Sequence, residues 1–191
     1  MKEKHFINKS WTLFLDRDGV INQRPTGDYV RKVDDFIFQD GVLQAMAHFR
    51  RAFGRVVVVT NQQGVGKNLM TTAQVFDIHL AMHAQIRRSG GLLDAVYFCP
   101  HLASDGCDCR KPKSGMALQA QKNFPEIDFQ KSVMAGDTIS DMVFGKTLGM
   151  TTVFINSNQD FKTLADYSAI DFCCENLSEM AVIFIEESSE F

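Results

Sequence analysis

The feature that most constrains the fold is an alternation of short apolar runs with helix-like segments along the 191 residues. Runs at Trp11–Leu15, Arg55–Val59, Ala95–Phe98, Val133–Ala135 and Thr151–Ile155 read as strands, with a weaker sixth at Ser168–Cys173. Between them the apolar spacing predicts helices at 41–52, 71–89, 115–123 and 140–148, and a last one near 176–187. Strands that alternate with helices build βαβ units, so the expected fold is α/β: a mostly parallel sheet with helices on both faces. Neither a repeat nor a linker interrupts the pattern, and residues 1–191 read as one domain. The segment 19–40 is polar and without helical period, long enough to fold over the sheet edge as a flap.

Charge and composition narrow the partners. The formal net charge is −3, where a nucleic-acid binder would show a basic excess. No uncharged apolar stretch approaches the roughly 20 residues of a membrane helix. The opening MKEKHFINKS lacks the apolar segment of a secretory signal. A cytoplasmic protein is expected, without nucleic-acid or membrane partners, and monomeric because no coiled coil or apolar repeat is present.

A parallel sheet gathers its ligands at the carboxyl ends of its strands, and the informative residues lie there. After the first strand come Asp16 and Asp18, two carboxylates one residue apart that can address one point above the sheet. A carboxylate can attack phosphorus, and a second, when protonated, can serve the departing alkoxide and later take a proton from water. After the second strand, Thr60 and Asn61 offer a hydroxyl and backbone N–H groups to phosphate oxygens. After the fourth, Asp137 stands where a hard-oxygen ligand helps Asp16 hold Mg²⁺, and Asp141 follows four residues on. Arg110 and Lys111 supply the cations that let an anionic nucleophile approach an anionic phosphate.

A second constellation sits in one loop. Cys99 and His101, five residues, then Cys107 and Cys109 form a closed set of four sulfur and nitrogen ligands, the arrangement of structural Zn²⁺. The loop runs directly into Arg110 and Lys111. His79 and His83, four apart on a predicted helix, lack the accompanying Glu of a metal motif and read as surface or partly packed residues. Cys173 and Cys174 read as packing residues.

In this order and spacing, DRDGV, VVVVTNQ, RKP and GDTISD resemble the four motifs of the haloacid dehalogenase superfamily, over roughly residues 12–155. The resemblance implies a Rossmann-like fold with a minimal cap, here only a flap, beside the zinc-binding loop. It implies Asp16 as nucleophile and magnesium ligand, and Asp18 as acid/base, with its backbone carbonyl on the metal. Thr60 and Lys111 would hold the phosphate, Asp137 would complete the magnesium shell, and Asp141 would support. The substrate would be a small phosphorylated metabolite. The zinc loop with a small cap is similar to the branch acting on heptose 1,7-bisphosphate or histidinol phosphate. The five-residue gap in the loop favours histidinol phosphate, whereas a chain of this size favours the 7-phosphate of the heptose, which is taken first. Arg110, with Lys67, Lys113 or Arg24, would meet a second phosphate; Asp28, Asp34 and Asp35 would suit an amine.

The loop's continuity with Lys111 makes zinc an organiser of the phosphate-binding edge. Removing zinc while magnesium stays saturating is expected to lower turnover. Full activity in a protein shown by elemental analysis to be zinc-free would contradict that role.

Overall fold

The structure, a computed structural model, describes residues 7–155 and 167–185; the residues after the fifth strand at 156–166, and the acidic stretch 186–190, lie outside the described residues. The strands are β1 (Thr12–Leu15), β2 (Arg55–Asn61), β3 (Ala95–Cys99), β4 (Ser132–Gly136), β5 (Thr151–Ile155) and β6 (Phe172–Cys174). The helices are α1 (Val42–Ala52), α2 (Thr72–Arg88), α3 (Gly115–Asn123), α4 (Ile139–Leu148) and α5 (Leu177–Ile185). All five strand pairings are parallel, in the order β3-β2-β1-β4-β5-β6.

The period-two geometry of a strand explains the two-sided core. Leu13, Leu15, Val56, Val58, Val133 and Ala135 face one side, where they pack with residues of α1, α2 and α5 such as Phe49, Ile78 and Met180. Their neighbours Phe14, Val57, Val59 and Met134 face the other side, against Met116 and Ala117 of α3 and Phe144 of α4. A sheet buried on both faces needs apolar residues at every position, which is why these strands read as continuous runs rather than alternations.

The strand order positions the site. From the central β1 the chain builds outward through β2 and β3 on one side and through β4, β5 and β6 on the other. The crevice between the two directions opens at the carboxyl ends of β1 and β4, the usual ligand position of such sheets. Pairing continues past β1, since Asp16 N–H donates to Ala135 O at 2.9 Å.

Two expectations need adjustment. The sixth strand begins later than residue 168: Tyr167–Ala169 form a 3₁₀ turn and β6 starts at Phe172. Thr152 accounts for this, because its hydroxyl donates to Ala169 O at 2.7 Å and its N–H to Asp171 Oδ2 at 3.0 Å. Those side-chain-assisted bonds replace strand pairing there. The segment 19–40 is irregular apart from a 3₁₀ turn at Val33–Asp35. It is nonetheless pinned, with Val20, Ile21, Val30 and Phe36 buried in the core of the α1–α2 side.

Glycine at position 136 is required by a close approach. A Cβ there would lie 2.3 Å from Asp141 Cβ, inside any allowed contact. Gly136→Ala should therefore displace the start of α4 and destabilise the fold by about 1–3 kcal/mol, the usual cost of overpacking. An unchanged urea midpoint would contradict this reading of the β4–α4 junction.

Candidate active site

Asp16, Asp18, Thr60, Asn61, Arg110, Lys111 and Asp141 line one cleft of about 250 Å³ at the carboxyl end of the sheet. Its chemical centre is Lys111, only 3% exposed. The ammonium donates to Asp16 Oδ1 at 2.8 Å and to Val59 O at 2.7 Å, and lies 2.6 Å from Asp141 Oδ1. Burial would lower its pKa, but Asp141 and then Asp16 outweigh that and hold it above the ordinary lysine value. Asn61 explains how the lysine is aimed. Its Oδ1 accepts from Lys111 N–H at 3.0 Å and its Nδ2 donates to Lys111 O at 3.2 Å. The Asn61 side chain is thus spent on the backbone of the cationic residue, which leaves to its backbone the phosphate contact expected of this position.

Carboxylates crowd one side of the cleft. Oxygens of Asp16, Asp137 and Asp141 lie within 4.8 Å of one another. Burial, then repulsion from Asp141 and Asp18, raises the Asp16 pKa to about 6 against the pull of Lys111. Burial and the charge of Asp16 raise Asp137 to about 7, with Arg24 opposing. Asp141 also caps its helix, accepting from the Thr138 hydroxyl at 2.6 Å. Gly19, at φ +92°, lets the backbone come so close that a Cβ would sit 2.0 Å from Asp137 Oδ2. Arg24 reaches in from the irregular segment: its Nη2 donates to Asp18 O at 2.7 Å and to Asp137 Oδ1 at 3.0 Å, and stands 3.8 Å from Asp16 Oδ2. One cationic group therefore gathers the carbonyl and carboxylates expected to hold magnesium. An all-oxygen set with excess negative charge fits a hard divalent cation.

Asp18 is bound differently from its neighbour. Its Oδ1 accepts from Arg17 Nη2 at 2.8 Å and Asn22 Nδ2 at 2.9 Å; its Oδ2 accepts from Arg17 Nη2 at 2.9 Å and Gln62 Nε2 at 2.8 Å. Burial would raise its pKa, yet Arg17 together with bonds from Asn22 and Gln62 holds it below the ordinary value. The carboxylate is therefore ionised in this arrangement, not protonated. Gln62 also donates to Thr60 Oγ1 at 2.9 Å, leaving the threonine hydroxyl its own proton to offer the cleft. Arg17 is wholly buried, and its Nη1 lies 2.9 Å from His79 Nε2. His79 is thus not a surface or loosely packed residue but a buried partner of the site. Arg17, Gln62 and Asn22 were likewise missed by sequence reasoning; the one available signal was the cation between two motif aspartates. Phe36 packs beneath Arg17 rather than lining the cleft.

The remaining expected residues divide. Arg110 lines the cleft, with a buried Nη1 that has no hydrogen-bond partner among the described residues. Asp28 and Tyr29 also line it, while Lys67 lies in an adjoining depression and Asp34, Asp35 and Lys113 line neither.

Cys99, His101, Cys107 and Cys109 converge as expected. Cys99 Sγ is 3.5 Å from Cys107 Sγ and 3.7 Å from His101 Nδ1; Cys109 Sγ is 3.5 Å from Cys107 Sγ and 3.2 Å from His101 Nδ1. A tetrahedral zinc with ordinary bond lengths asks for ligand separations of about 3.5–3.8 Å; three of these four distances meet that, and the fourth, Cys109 to His101, is about 0.3 Å short of it, a small adjustment for a side chain. The loop is fastened to the residues after β2, since Gln62 N–H donates to Cys99 O at 2.7 Å and Gly66 N–H to Pro100 O at 2.9 Å.

Comparison with known proteins agrees with this geometry. A family model described as HAD-hydrolase-like matches residues 108–180. The chain is 42% identical over 132 residues to D-glycero-alpha-D-manno-heptose-1,7-bisphosphate 7-phosphatase of Mycobacterium bovis, covering 69% of this chain and 70% of that one. It is 34% identical over 178 residues to the beta-anomer enzyme of Bordetella bronchiseptica, covering 92% and 98%. A solved structure of the D,D-heptose 1,7-bisphosphate phosphatase of B. bronchiseptica, complexed with magnesium and phosphate, superposes with TM-score 0.84 at 33% identity, covering 93% and 99%.

The crowded carboxylates set a pH dependence. Asp16 and Asp137 have folded values of about 6 and about 7 against 3.8 when unperturbed. The native state therefore binds more protons than the unfolded state across that window, and stability falls as pH rises through it. Chelator-treated protein should melt at a higher temperature near about pH 5 than near about pH 8, and added magnesium should raise the melting temperature more at the alkaline end. A melting temperature that climbs steadily over the same range would contradict the assignment.

Proposed function

Since the chain belongs to the haloacid dehalogenase-like hydrolases and is a phosphoric monoester hydrolase, we propose that it removes the 7-phosphate of a D-glycero-D-manno-heptose 1,7-bisphosphate through an aspartyl phosphate on Asp16. The observation that carries this reading is the buried Lys111 held jointly by Asp16 and Asp141 in the wall of a carboxylate-rich cleft. The setting is a single cytoplasmic domain acting as a monomer on a small phosphorylated metabolite.

Asp16 Oδ2 lies on the side of Arg24 and Asp137, so Oδ1 is the oxygen for in-line attack. Lys111 steadies that oxygen and offsets the repulsion between carboxylate and phosphate. Thr60 donates to a phosphoryl oxygen. Magnesium, held by Asp16, the Asp18 carbonyl and Asp137, would supply neutralisation of charge on the phosphoryl oxygens. Asp141 keeps Lys111 oriented. In the second half, water adds to phosphorus while Asp18 takes its proton, and the phosphorus–oxygen bond to Asp16 breaks with its electron pair returning to the carboxylate. In the first half the bond from phosphorus to the leaving oxygen breaks as Asp16 attacks, and the departing alkoxide takes a proton from solvent by way of Asp18; the proton Asp18 later takes from water returns to solvent, so the cycle balances with Asp18 ionised at rest. This gives the ionised Asp18 a role that the free acid could not fill.

The second phosphate of a bisphosphate needs a cation beyond the reacting centre. Arg110 meets that need, with its buried Nη1 facing no acceptor of the described residues. The zinc set holds the loop that presents Arg110 and Lys111 without touching the reacting atoms.

Asp16→Asn should abolish magnesium-dependent phosphate release, and kcat/KM should be highest for one anomer of heptose 1,7-bisphosphate and far lower for histidinol phosphate. Arg110→Ala should raise KM for the bisphosphate more than for a monophosphate. A preference for histidinol phosphate, or equal and poor turnover of both, would overturn the substrate assignment.

A further inference from the structure

Outside the residues that touch substrate, the site contains a cation with no access to solvent. Arg17 is 0% exposed and follows the nucleophile directly. A buried guanidinium is tolerated only when its charge is paired and its donors are satisfied. One edge forks onto Asp18, through Nε at 3.1 Å and Nη2 at 2.8 Å to Oδ1. Nη2 also donates to Gln62 Oε1 at 3.1 Å. The other edge is served by His79, whose Nε2 is 2.9 Å from Arg17 Nη1.

The chemistry of that contact is fixed by the donor. A guanidinium has only N–H groups, so His79 Nε2 must accept, and the ring is the neutral form protonated on Nδ1. Burial and the adjacent guanidinium lower the His79 pKa to about 3, in keeping with a ring that stays neutral. The ring itself is fixed by α2, where it is 6% exposed and meets Phe98 edge-on at 5.7 Å. His79 therefore sets where the guanidinium lies, and the guanidinium sets where the Asp18 carboxylate points.

We propose that His79 is a positioning residue for the reaction: by accepting from Arg17 it aims the fork that holds Asp18 as the base for hydrolysis of the aspartyl phosphate. The inference rests on the phosphatase reading above. His79 touches no reacting atom, so substrate binding is independent of it. Phosphorylation of Asp16 by an aryl phosphate, whose leaving group departs without an acid, is also independent of it. Hydrolysis of the intermediate is the step it controls.

The test is pre-steady-state turnover of p-nitrophenyl phosphate with saturating magnesium. His79→Leu should slow steady-state turnover at least tenfold, and by no more than the ~10²–10⁴ that the whole acid–base group contributes. KM should fall with kcat so that kcat/KM stays nearly constant, and a burst of about one nitrophenolate per enzyme should precede the slow phase. His79→Gln, whose amide oxygen falls near Nε2, should restore most of the rate and remove the burst. In an Asp18→Asn background His79→Leu should cost nothing further. If His79→Leu does not fold, His79→Asn, too short to reach Arg17, replaces it with the same expectations. A folded variant with wild-type kinetics, one slowed without a burst, or a Gln variant as slow as Leu would overturn the proposal. Wild-type protein that releases no nitrophenolate would instead sink the phosphatase reading, and this inference with it.

Discussion

An ammonium group almost out of water, shared by two carboxylates and a main-chain carbonyl, organises this protein. Desolvating a lysine and an aspartate costs several kcal/mol per ion, so the cluster persists only because the partners meet at hydrogen-bond distance. Each comes from a different part of the chain: Asp16 from the end of β1, Val59 from β2, Lys111 from the zinc loop and Asp141 from α4. The interaction ties the four segments at the crevice where the sheet order reverses, and the same contacts offset the charge of the Asp16 carboxylate. Stability and reactivity are thus set by one group of charges, and the raised values of Asp16 and Asp137 are what remains unbalanced until a divalent cation joins them.

The scaffold around this cluster is built to hold it at fixed distances. Alternate residues of the central strands pack against helices on both faces, so the strand ends cannot shift independently. Asn61 clamps the backbone of Lys111, and the Cys and His ligands fix the loop that precedes it. The Cys and His cluster and the sheet meet the same short segment from opposite ends. Preorganisation of this kind is where most electrostatic catalysis originates, since charges already in place need no rearrangement as the transition state forms.

The strands were legible because doubly buried strands must be apolar throughout, and the cleft-lining Asp16, Asp18 and Thr60 because they stand directly after or at the end of those runs. The convergence of Cys99, His101, Cys107 and Cys109 was legible from spacing alone. What was hidden shares one cause: side chains whose partners lie far away in sequence. Nothing local marks Arg17 as buried, since arginine is seldom fully buried and its partner His79 is 62 residues away. The Asn61 side chain carries no signal in the sequence of its two bonds to Lys111, 50 residues away. Ser168–Asp171 read as strand because nothing local reveals that Thr152 holds them. The ionised state of Asp18 belongs to the same group, being set by Arg17, Asn22 and Gln62 rather than by its motif.

The central claim is that Asp16 carries the phosphoryl group between substrate and water. The most direct measurement quenches the enzyme during turnover, reduces it with borohydride and maps the peptides by mass spectrometry. An acyl phosphate at Asp16 is reduced to homoserine, so the account predicts homoserine at position 16 and nowhere else, dependent on substrate and magnesium. Steady turnover with an unmodified residue 16, or with homoserine at another aspartate, would contradict it.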